Sequence, residues 1–448
     1  MKIIDSVAAV FCYDEQVFAV RRQAYLDAFP GYDSFPGGKI DREDSSQPYP
    51  TNFLNKLDGC SMHALVREID EELGYDLPAG INSGEVTAVR YLATALAPAI
   101  SPIRFRLYFF RIDLATKPQF TIDSGEIAAA CWQTPQLMLD SFDAGDALMV
   151  PPLRWMLKQL HQNPMGANFG DLSPQFDEDL YIPKLELLSG LRMLSVPSNT
   201  FPPEKRTTAY LLGDAGAPKI LVDPSPESLS VLEKLLRTLS PQNLNAIFIT
   251  HHHHDHHEHA PALARQLKLP IWMSTDTHNR IKQKYGSDYF SGVQIGIKKA
   301  GDCLTTWKSE SVRVYEIPGH DAGHLGLAPE SLRWFLVGDL IQSFGTVVIA
   351  APEGDMATYF QTLKQLIELD PAIIIPSHGM PMRSTFRLQA TLQHRCDREI
   401  EIQEACKKGK TTTEILAMIY PEIAPQLAPF AMCNIESHLT KLRHEGQI

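Results

Sequence analysis

The sequence predicts an α/β and α+β multidomain protein, and three observations carry that expectation. Its 448 residues, 44% of them hydrophobic, are ample for two full cores and a small appended one. Several short apolar runs end on histidine or aspartate, as strands do when they deliver polar side chains to the loop edge of an α/β sheet. Between His161 and Leu180 the stretch HQNPMGANFGDLSPQFDEDL is polar, carries Pro and Gly and lacks periodicity, which marks a boundary. A second boundary falls near Met382 to Ser384. The expected division is 1–163, a linker 164–182, 183–383 and 384–448, with no internal repeat.

The first part opens with MKIIDSVAAVFCYDEQVFAVRR, in which short apolar runs alternate with charges as in a hairpin. Further on, Arg67 to Tyr75 reads REIDEELGY. On a helix, Glu68, Glu71 and Glu72 stand at i, i+3 and i+4 and share one face. Three carboxylates there form a hard oxygen cluster suited to Mg2+ or Mn2+ bridging a diphosphate. An ordinary acidic surface helix carries the same pattern. Phe35-Pro36-Gly37-Gly38 upstream, and Gly74 where the helix should stop, favour the metal reading. These segments resemble the Nudix box, and the resemblance implies an α/β/α sandwich with pyrophosphohydrolase activity, Glu68, Glu71 and Glu72 being its catalytic metal ligands. The box is interrupted by about fifteen extra residues between Gly38 and Arg67, including SSQPYPTN (Ser45 to Asn52), and Asp44 stands where the family's first Glu would fall. FPGYDSFPGG, PIRFRLYFF and VPPLRWML are similar to a Nudix subgroup that hydrolyses coenzyme A and acyl-CoA diphosphates, although Asp27 replaces the Arg of that signature. Glu126, ahead of IAAACW, is a further candidate ligand or base.

The middle part holds THHHHDHHEH, from Thr250 to His259, which contains seven of the chain's 16 histidines. His251, His253, Asp255 and His256 fall on an HxHxDH spacing that can face two metal ions from a tight loop, after the apolar run LNAIFIT. A solvated tract binding metal incidentally is the alternative. Against it, VYEIPGH ends at His320, WFLVGD at Asp339 and AIIIPSH at His378, each after an apolar run. From about Leu185 to Arg383 the chain resembles the metallo-β-lactamase superfamily, with its five ligand motifs in order. The resemblance implies an αββα sandwich with one zinc on His251, His253 and His320 and another on Asp255, His256 and His378, Asp339 bridging. Asp223 in ILVDPS resembles the family's structural aspartate. Two zinc ions so held would bring a shared water towards pKa 7 and make a hydroxide able to attack a carbonyl or phosphoryl centre, with Asp255 helping to orient it. A set of nitrogens and oxygens without Cys suits Mn2+ or Fe2+ as well. Departures from the motif are Glu258 and His259 in place of a Gly pair, and Asp321 in place of Thr. His252, His254, His257 and His259 are surplus and read as supporting or exposed. His324 reads equally as a supporting, substrate-contacting or structural residue.

From Ser384 onward, TTTEILAMIYPEI, a Pro-containing connection and NIESHLTKLRHEGQI read as a short helix and a longer amphipathic one, resembling a small winged helix. Together with GDMATYFQTLKQLIELDPAIIIPSHG (Gly354 to Gly379), this ending is similar to the β-lactamase-like-protein-2 branch, which includes an endoribonuclease, and to glyoxalase-II-like thioesterases. Eight Lys/Arg balance eight Asp/Glu there, and the whole chain carries −12, which opposes simple nucleic-acid binding. Packing on the catalytic domain or dimerisation is the expected role of this module.

No signal peptide and no membrane-spanning run is read, and seven Cys without a CxxC pair fit reduced thiols in a cytoplasm. Cys131 and Cys303 are expected to be buried. The resulting expectation is a cytoplasmic two-headed metallohydrolase. Its zinc site takes a phosphodiester, with single-stranded RNA as candidate partner, ranked slightly above a thioester such as acyl-CoA. Its N-terminal site takes a nucleoside or CoA-type diphosphate. A homodimer is a weaker leaning. The alternative from another class is a nucleotide-sensing regulatory protein with a silent Nudix head.

Overall fold

Alternation along the strand Lys2–Tyr13 organises the N-terminal part. Val7, Ala9 and Phe11 point into one core with Met62, Leu65, Ile69 and Leu73 of the helix Gly59–Leu73. Ala8, Val10 and Cys12 point into another with Met138 and Phe142 of the helix Pro135–Ala144 and Leu153, Met156 and Leu157 of the helix Pro151–Gln162. A strand whose two faces are both apolar is buried on both sides, and helices therefore cover both faces of the sheet.

The computed structural model describes residues 2–49, 58–97, 103–174, 177–202 and 204–448. The chain divides into two compact units, 1–189 and 190–448. In the first, the sheet runs Asp33–Ser34, Gln16–Arg22, Lys2–Tyr13, Ile103–Leu114, Val86–Leu96, Gly170–Asp171, and Ile127–Gln133 adds to Gln16–Arg22. The expected opening hairpin is present as Lys2–Tyr13 against Gln16–Arg22. Helix Gly59–Leu73 is capped at its start by the Asp58 carboxylate, which accepts the Ser61 N–H, and at its end by Gly74 at φ +55. Part of the inserted stretch, 50–57, lies outside the described residues.

The second unit contains two sheets. One runs Ile295–Ile297, Ile271–Met273, Ala246–Phe248, Ile220–Val222, Arg206–Leu212, Leu191–Pro197; the other runs Cys303–Trp307, Glu310–Glu316, Leu325–Pro329, Phe335–Gly338, Ile373–Pro376, Met382–Arg383. Their facing ends are joined by Thr208 N–H donating to Ser377 C=O at 2.8 Å and the Tyr210 hydroxyl donating to Pro376 C=O at 2.6 Å. Helix Met356–Leu369 lays Tyr359, Phe360 and Leu363 on Phe335, Val337 and Ile374. Three C-terminal helices follow, Phe386–Lys407, Thr412–Ile419 and Ala428–His444. Leu388 of the first is buried in the core under Met356–Leu369, so residues 384–448 fall within the same compact unit as the two sheets.

Cys131 and Cys303 are both exposed, contrary to expectation. Each sits on an outermost strand, Ile127–Gln133 or Cys303–Trp307, where one face has nothing packed over it. Among the described residues no helix is long and apolar enough to cross a membrane.

Candidate metal centres

Strand Ala246–Phe248 is paired in parallel on both sides, and its C-terminal end delivers the histidine loop at a fixed height. The neighbouring strand Ile220–Val222 ends on Asp223, wholly buried and at φ +49. Its carboxylate accepts the Thr250 N–H at 2.8 Å, the Thr250 hydroxyl at 2.7 Å and His256 Nδ1–H at 2.9 Å. One aspartate thus ties the start of the loop to the turn His254–His257.

Two groups of side chains converge from this loop and from three later strand ends. In the first, His253 Nδ1 lies 3.0 Å from both His251 Nε2 and His320 Nε2. The distal nitrogens of two of these rings are anchored: Thr250 Oγ1 sits 3.0 Å from His251 Nδ1, and His320 Nδ1–H donates to Val348 C=O at 2.9 Å. Burial, helped by His256 and His253, holds His251 well below the ordinary imidazole range, and burial lowers His320 to about 4. Their inward nitrogens are therefore electron-pair donors aimed at one another, an arrangement that a shared cation satisfies.

In the second group, His378 Nε2 is 3.3 Å from both Asp255 Oδ2 and Asp339 Oδ2, and His256 Nε2 is 3.4 Å from Asp339 Oδ2. His378 Nδ1–H is held by Arg206 C=O at 3.0 Å. Nε2 of His256, Nε2 of His378 and Oδ1 of Asp339 are buried without a hydrogen-bond partner among the described residues. Burial opposes charge on His378, but Asp339 and Asp255 outweigh it and raise its pKa to about 10; His256 is raised likewise by Asp339, Asp255 and Asp223. Burial also opposes ionisation of Asp255 and Asp339, and the two imidazoles reverse this, holding both carboxyls well below their usual range. Two positive charges balancing two carboxylates is the balance that a divalent cation also supplies. Orphaned inward donors and anchored outward nitrogens fit a divalent metal in both groups. All seven residues singled out in the sequence are brought together here.

The departures from the family motif have structural counterparts. His252 Nδ1 contacts Asp321 Oδ2, with both groups buried, so one surplus histidine and the aspartate in place of threonine form a pair. His259 sits at φ +55, in the left-handed region that favours glycine, which is why a Gly pair is common at this point. His257 is fixed by the Tyr289 hydroxyl at 2.7 Å and by His252 C=O at 3.0 Å, and His254 stacks on Tyr285. His324 packs its ring against His251, and both its nitrogens lack hydrogen bonds. Sequence reasoning missed Glu353, whose Oε1 is 3.1 Å from His252 Nε2 and whose Oε2 is 3.4 Å from His253 Nε2. Hydrogen bonds from His252 and His253 hold its carboxyl well below the usual range. It follows the apolar run VVIAAP, but that run forms no strand, so its place beside the histidines is set by tertiary contacts alone.

In the first unit, Glu68, Glu71 and Glu72 occupy the helix Gly59–Leu73 as expected, but they are not among the converging groups found in the described residues. Arg67 draws two of them to itself, reaching Glu68 Oε1 at 2.8 Å and Glu71 Oε2 at 3.0 Å. Arg67 also takes Asp44 through two hydrogen bonds, 3.2 and 3.1 Å, so Asp44 is brought to the helix across the inserted stretch. Glu72 accepts the Gly37 N–H at 2.8 Å. Gly37 has φ +138 and a Cβ there would meet Val7 O at 2.2 Å; a Cβ on Gly38 would meet Glu68 Oε2 at 2.3 Å. The Gly pair is what lets backbone and carboxylates meet. Glu126 adds negative potential at Glu68 and Glu72. Burial pushes Glu72 up to about 8. A divalent cation binding there must displace that proton, so affinity is expected to rise about tenfold per pH unit below pH 8 and to level off above it. Calorimetric titration of the full chain at pH 6.5, 7.5 and 8.5 checks this, and Glu72→Gln should remove the slope.

Three family models match the chain. The family model of the metallo-β-lactamase superfamily matches residues 203–378, that of the NUDIX domain matches 3–155, and that of the β-lactamase-associated winged helix domain matches 411–448. The chain is a hydrolase that joins a NUDIX domain to a metallo-β-lactamase domain. The chain is 26% identical over 253 residues to the β-lactamase-like protein 2 homolog of Drosophila melanogaster, covering 54% of this chain and 84% of that protein. It is 30% identical over 171 residues to a hydroxyacylglutathione hydrolase of Hamiltonella defensa, 38% of this chain and 61% of that protein. A β-lactamase domain protein from Burkholderia ambifaria shares the fold, with a TM-score of 0.51 and 21% identity over 61% of this chain and 90% of that one. Divalent metal is common to both domain families, and the chain is a metal-dependent hydrolase.

Proposed function

We propose that the metallo-β-lactamase domain hydrolyses a thioester at a dinuclear zinc site and that the NUDIX domain hydrolyses a nucleoside or CoA-type diphosphate with Mg2+ or Mn2+. The observation that carries the first reading is the convergence of His251, His253 and His320 beside Asp255, His256, Asp339 and His378. Divalent ions bound there supply Lewis acidity and an activated water. Asp223 holds the loop so that His256 keeps its inward nitrogen free, and Asp255 and Asp339 offer anionic oxygens that accept a proton or orient a nucleophile.

A thioester is favoured over RNA in part because half of the eight cations in residues 384–448 are committed elsewhere. Arg395 is buried, Arg387 donates to Gln342 C=O, Arg398 pairs with Glu401 and Lys441 pairs with Glu399. Lys407, Lys408, Lys410 and Arg443 stay exposed, a small positive surface for a phosphate backbone on a chain of net charge −12. The similarity to hydroxyacylglutathione hydrolases supports the same choice. For the NUDIX half, the diphosphate reading rests on Glu68 and Glu72 meeting Gly38 and Gly37.

The test is three assays on the full chain with Zn2+ or Mn2+: thiol release from acyl-glutathione and acyl-CoA, cleavage of end-labelled single-stranded RNA, and cleavage of the diphosphate bond of nucleoside and CoA diphosphates, read as the monophosphate products. Asp255→Ala is expected to lower thiol release by at least about a hundredfold and to spare diphosphate cleavage; Glu71→Gln should do the reverse. RNA cleavage lost in Asp255→Ala, with no thiol release by any form, would replace the thioester reading.

A further inference from the structure

The segment between strand Phe335–Gly338 and helix Met356–Leu369 touches the first histidine group at two points, and the neighbouring His252 at a third. Val348 C=O accepts His320 Nδ1–H at 2.9 Å, and Glu353 reaches His252 and His253. Residues 341–355 form neither helix nor strand, so their backbone groups must find partners elsewhere. For Val347 C=O and Ile349 N–H, two side chains of the C-terminal helices supply them. Arg395, 1% exposed, donates from a guanidinium N–H to Val347 C=O at 2.5 Å. Asn434, 8% exposed, accepts the Ile349 N–H on Oδ1 at 2.8 Å and donates from Nδ2 to Val347 C=O at 3.4 Å. The peptide groups on both sides of Val348 are held, so the direction of its own carbonyl is held too.

We propose that Arg395 and Asn434 are positioning residues for metal binding: by clamping Val347 and Ile349 they aim Val348 C=O at His320 Nδ1. That hydrogen bond selects the tautomer in which His320 Nε2 carries the free electron pair. The C-terminal helices thereby complete the metal centre from outside it, a role that calls for no exposed basic surface. Arg395 lies with its guanidinium 5.8 Å from the centre of the Tyr359 ring, which fixes it on the helix that follows the segment. The proposal rests on the reading of His251, His253 and His320 as one metal position.

The experiment strips the full-length protein and titrates it with Zn2+ against a chromophoric chelator, beside far-UV circular dichroism. The wild-type chain should bind two tight equivalents assignable to the second unit, of which His320→Ala removes one. Asn434→Ala is expected to weaken that same equivalent about 10- to 100-fold and to leave the other within about threefold. Asn434→Asp keeps the acceptor for Ile349 N–H and should recover most of the loss. Arg395→Met reads the same contact if Asn434→Ala does not fold. Equal weakening of both equivalents, or no weakening, in a variant with a native spectrum overturns the proposal, because a merely structural role would not single out one ion. Fewer than two tight equivalents in the wild-type chain would sink the two-metal reading and the proposal with it, and would be seen before any substitution was made.

Discussion

Asp223→Ala is expected to be the most damaging single substitution outside the converging side chains themselves. The carboxylate is wholly buried and accepts from Thr250 N–H, the Thr250 hydroxyl and His256 Nδ1. Removing it leaves a buried backbone donor and a buried imidazole without partners, and breaking a buried charged network of this kind costs about 3–5 kcal/mol. That is a large part of a typical domain's ~5–15 kcal/mol. In a unit of this size about 3–5 kcal/mol corresponds to a loss of roughly 10 °C in melting temperature. Asp223→Asn should cost less, because one oxygen still accepts from Thr250. Its NH2 group cannot accept from His256 Nδ1–H, so the histidine must change tautomer and turn its proton towards the metal position. Metal affinity is therefore expected to fall about 10- to 100-fold in a protein that still folds. Thermal melts and metal competition on both variants check this. An Asp223→Ala protein with wild-type melting temperature would show that the network does not hold the loop.

What made this chain legible was repetition of one physical device. An apolar strand ending on a charged or imidazole side chain is visible in sequence because burial demands the run and chemistry demands its end, and His320, Asp339 and His378 were found that way. Glu68, Glu71 and Glu72 were legible from helical spacing, and Gly74 from the need for a left-handed cap. Glu353 was not legible. It sits in a segment whose conformation is imposed by residues more than 40 positions later, and no local pattern reports a tertiary clamp of that kind. The same holds for His252 and Asp321: each looked like a departure from a motif, and only their spatial meeting makes them a pair. The exposed Cys131 and Cys303 erred for a related reason. An apolar run predicts a strand but not whether that strand lies at the edge of its sheet.

The metal-stripped protein should lose stability as pH rises above neutrality, and metal should restore it by a margin that grows with pH. His378 in the folded chain has its pKa raised from 6.5 to about 10 by Asp339 and Asp255 against the effect of burial, and His256 is raised in the same direction. A raised imidazole contributes stability that is fully present below pH 6.5 and is lost as pH rises through about 10. Asp255 and Asp339 are lowered from 3.8, so their contribution is present above that value and is lost only in stronger acid. Between pH 6.5 and 9 the raised imidazoles set the trend of this group, which is downward. A divalent ion entering this group must displace both imidazole protons, so its affinity should rise by up to about a hundredfold per pH unit over that range. The other group behaves differently, because burial already keeps His251 and His320 neutral and an ion binding there displaces no proton from either ring. Zinc titrations at pH 6.5 and 8.5 should therefore show one equivalent that tightens steeply and one that barely changes, alongside a melting-temperature gap between loaded and stripped protein that widens with pH. Two equivalents with the same pH slope would mean that the protons are not where the buried carboxylates place them.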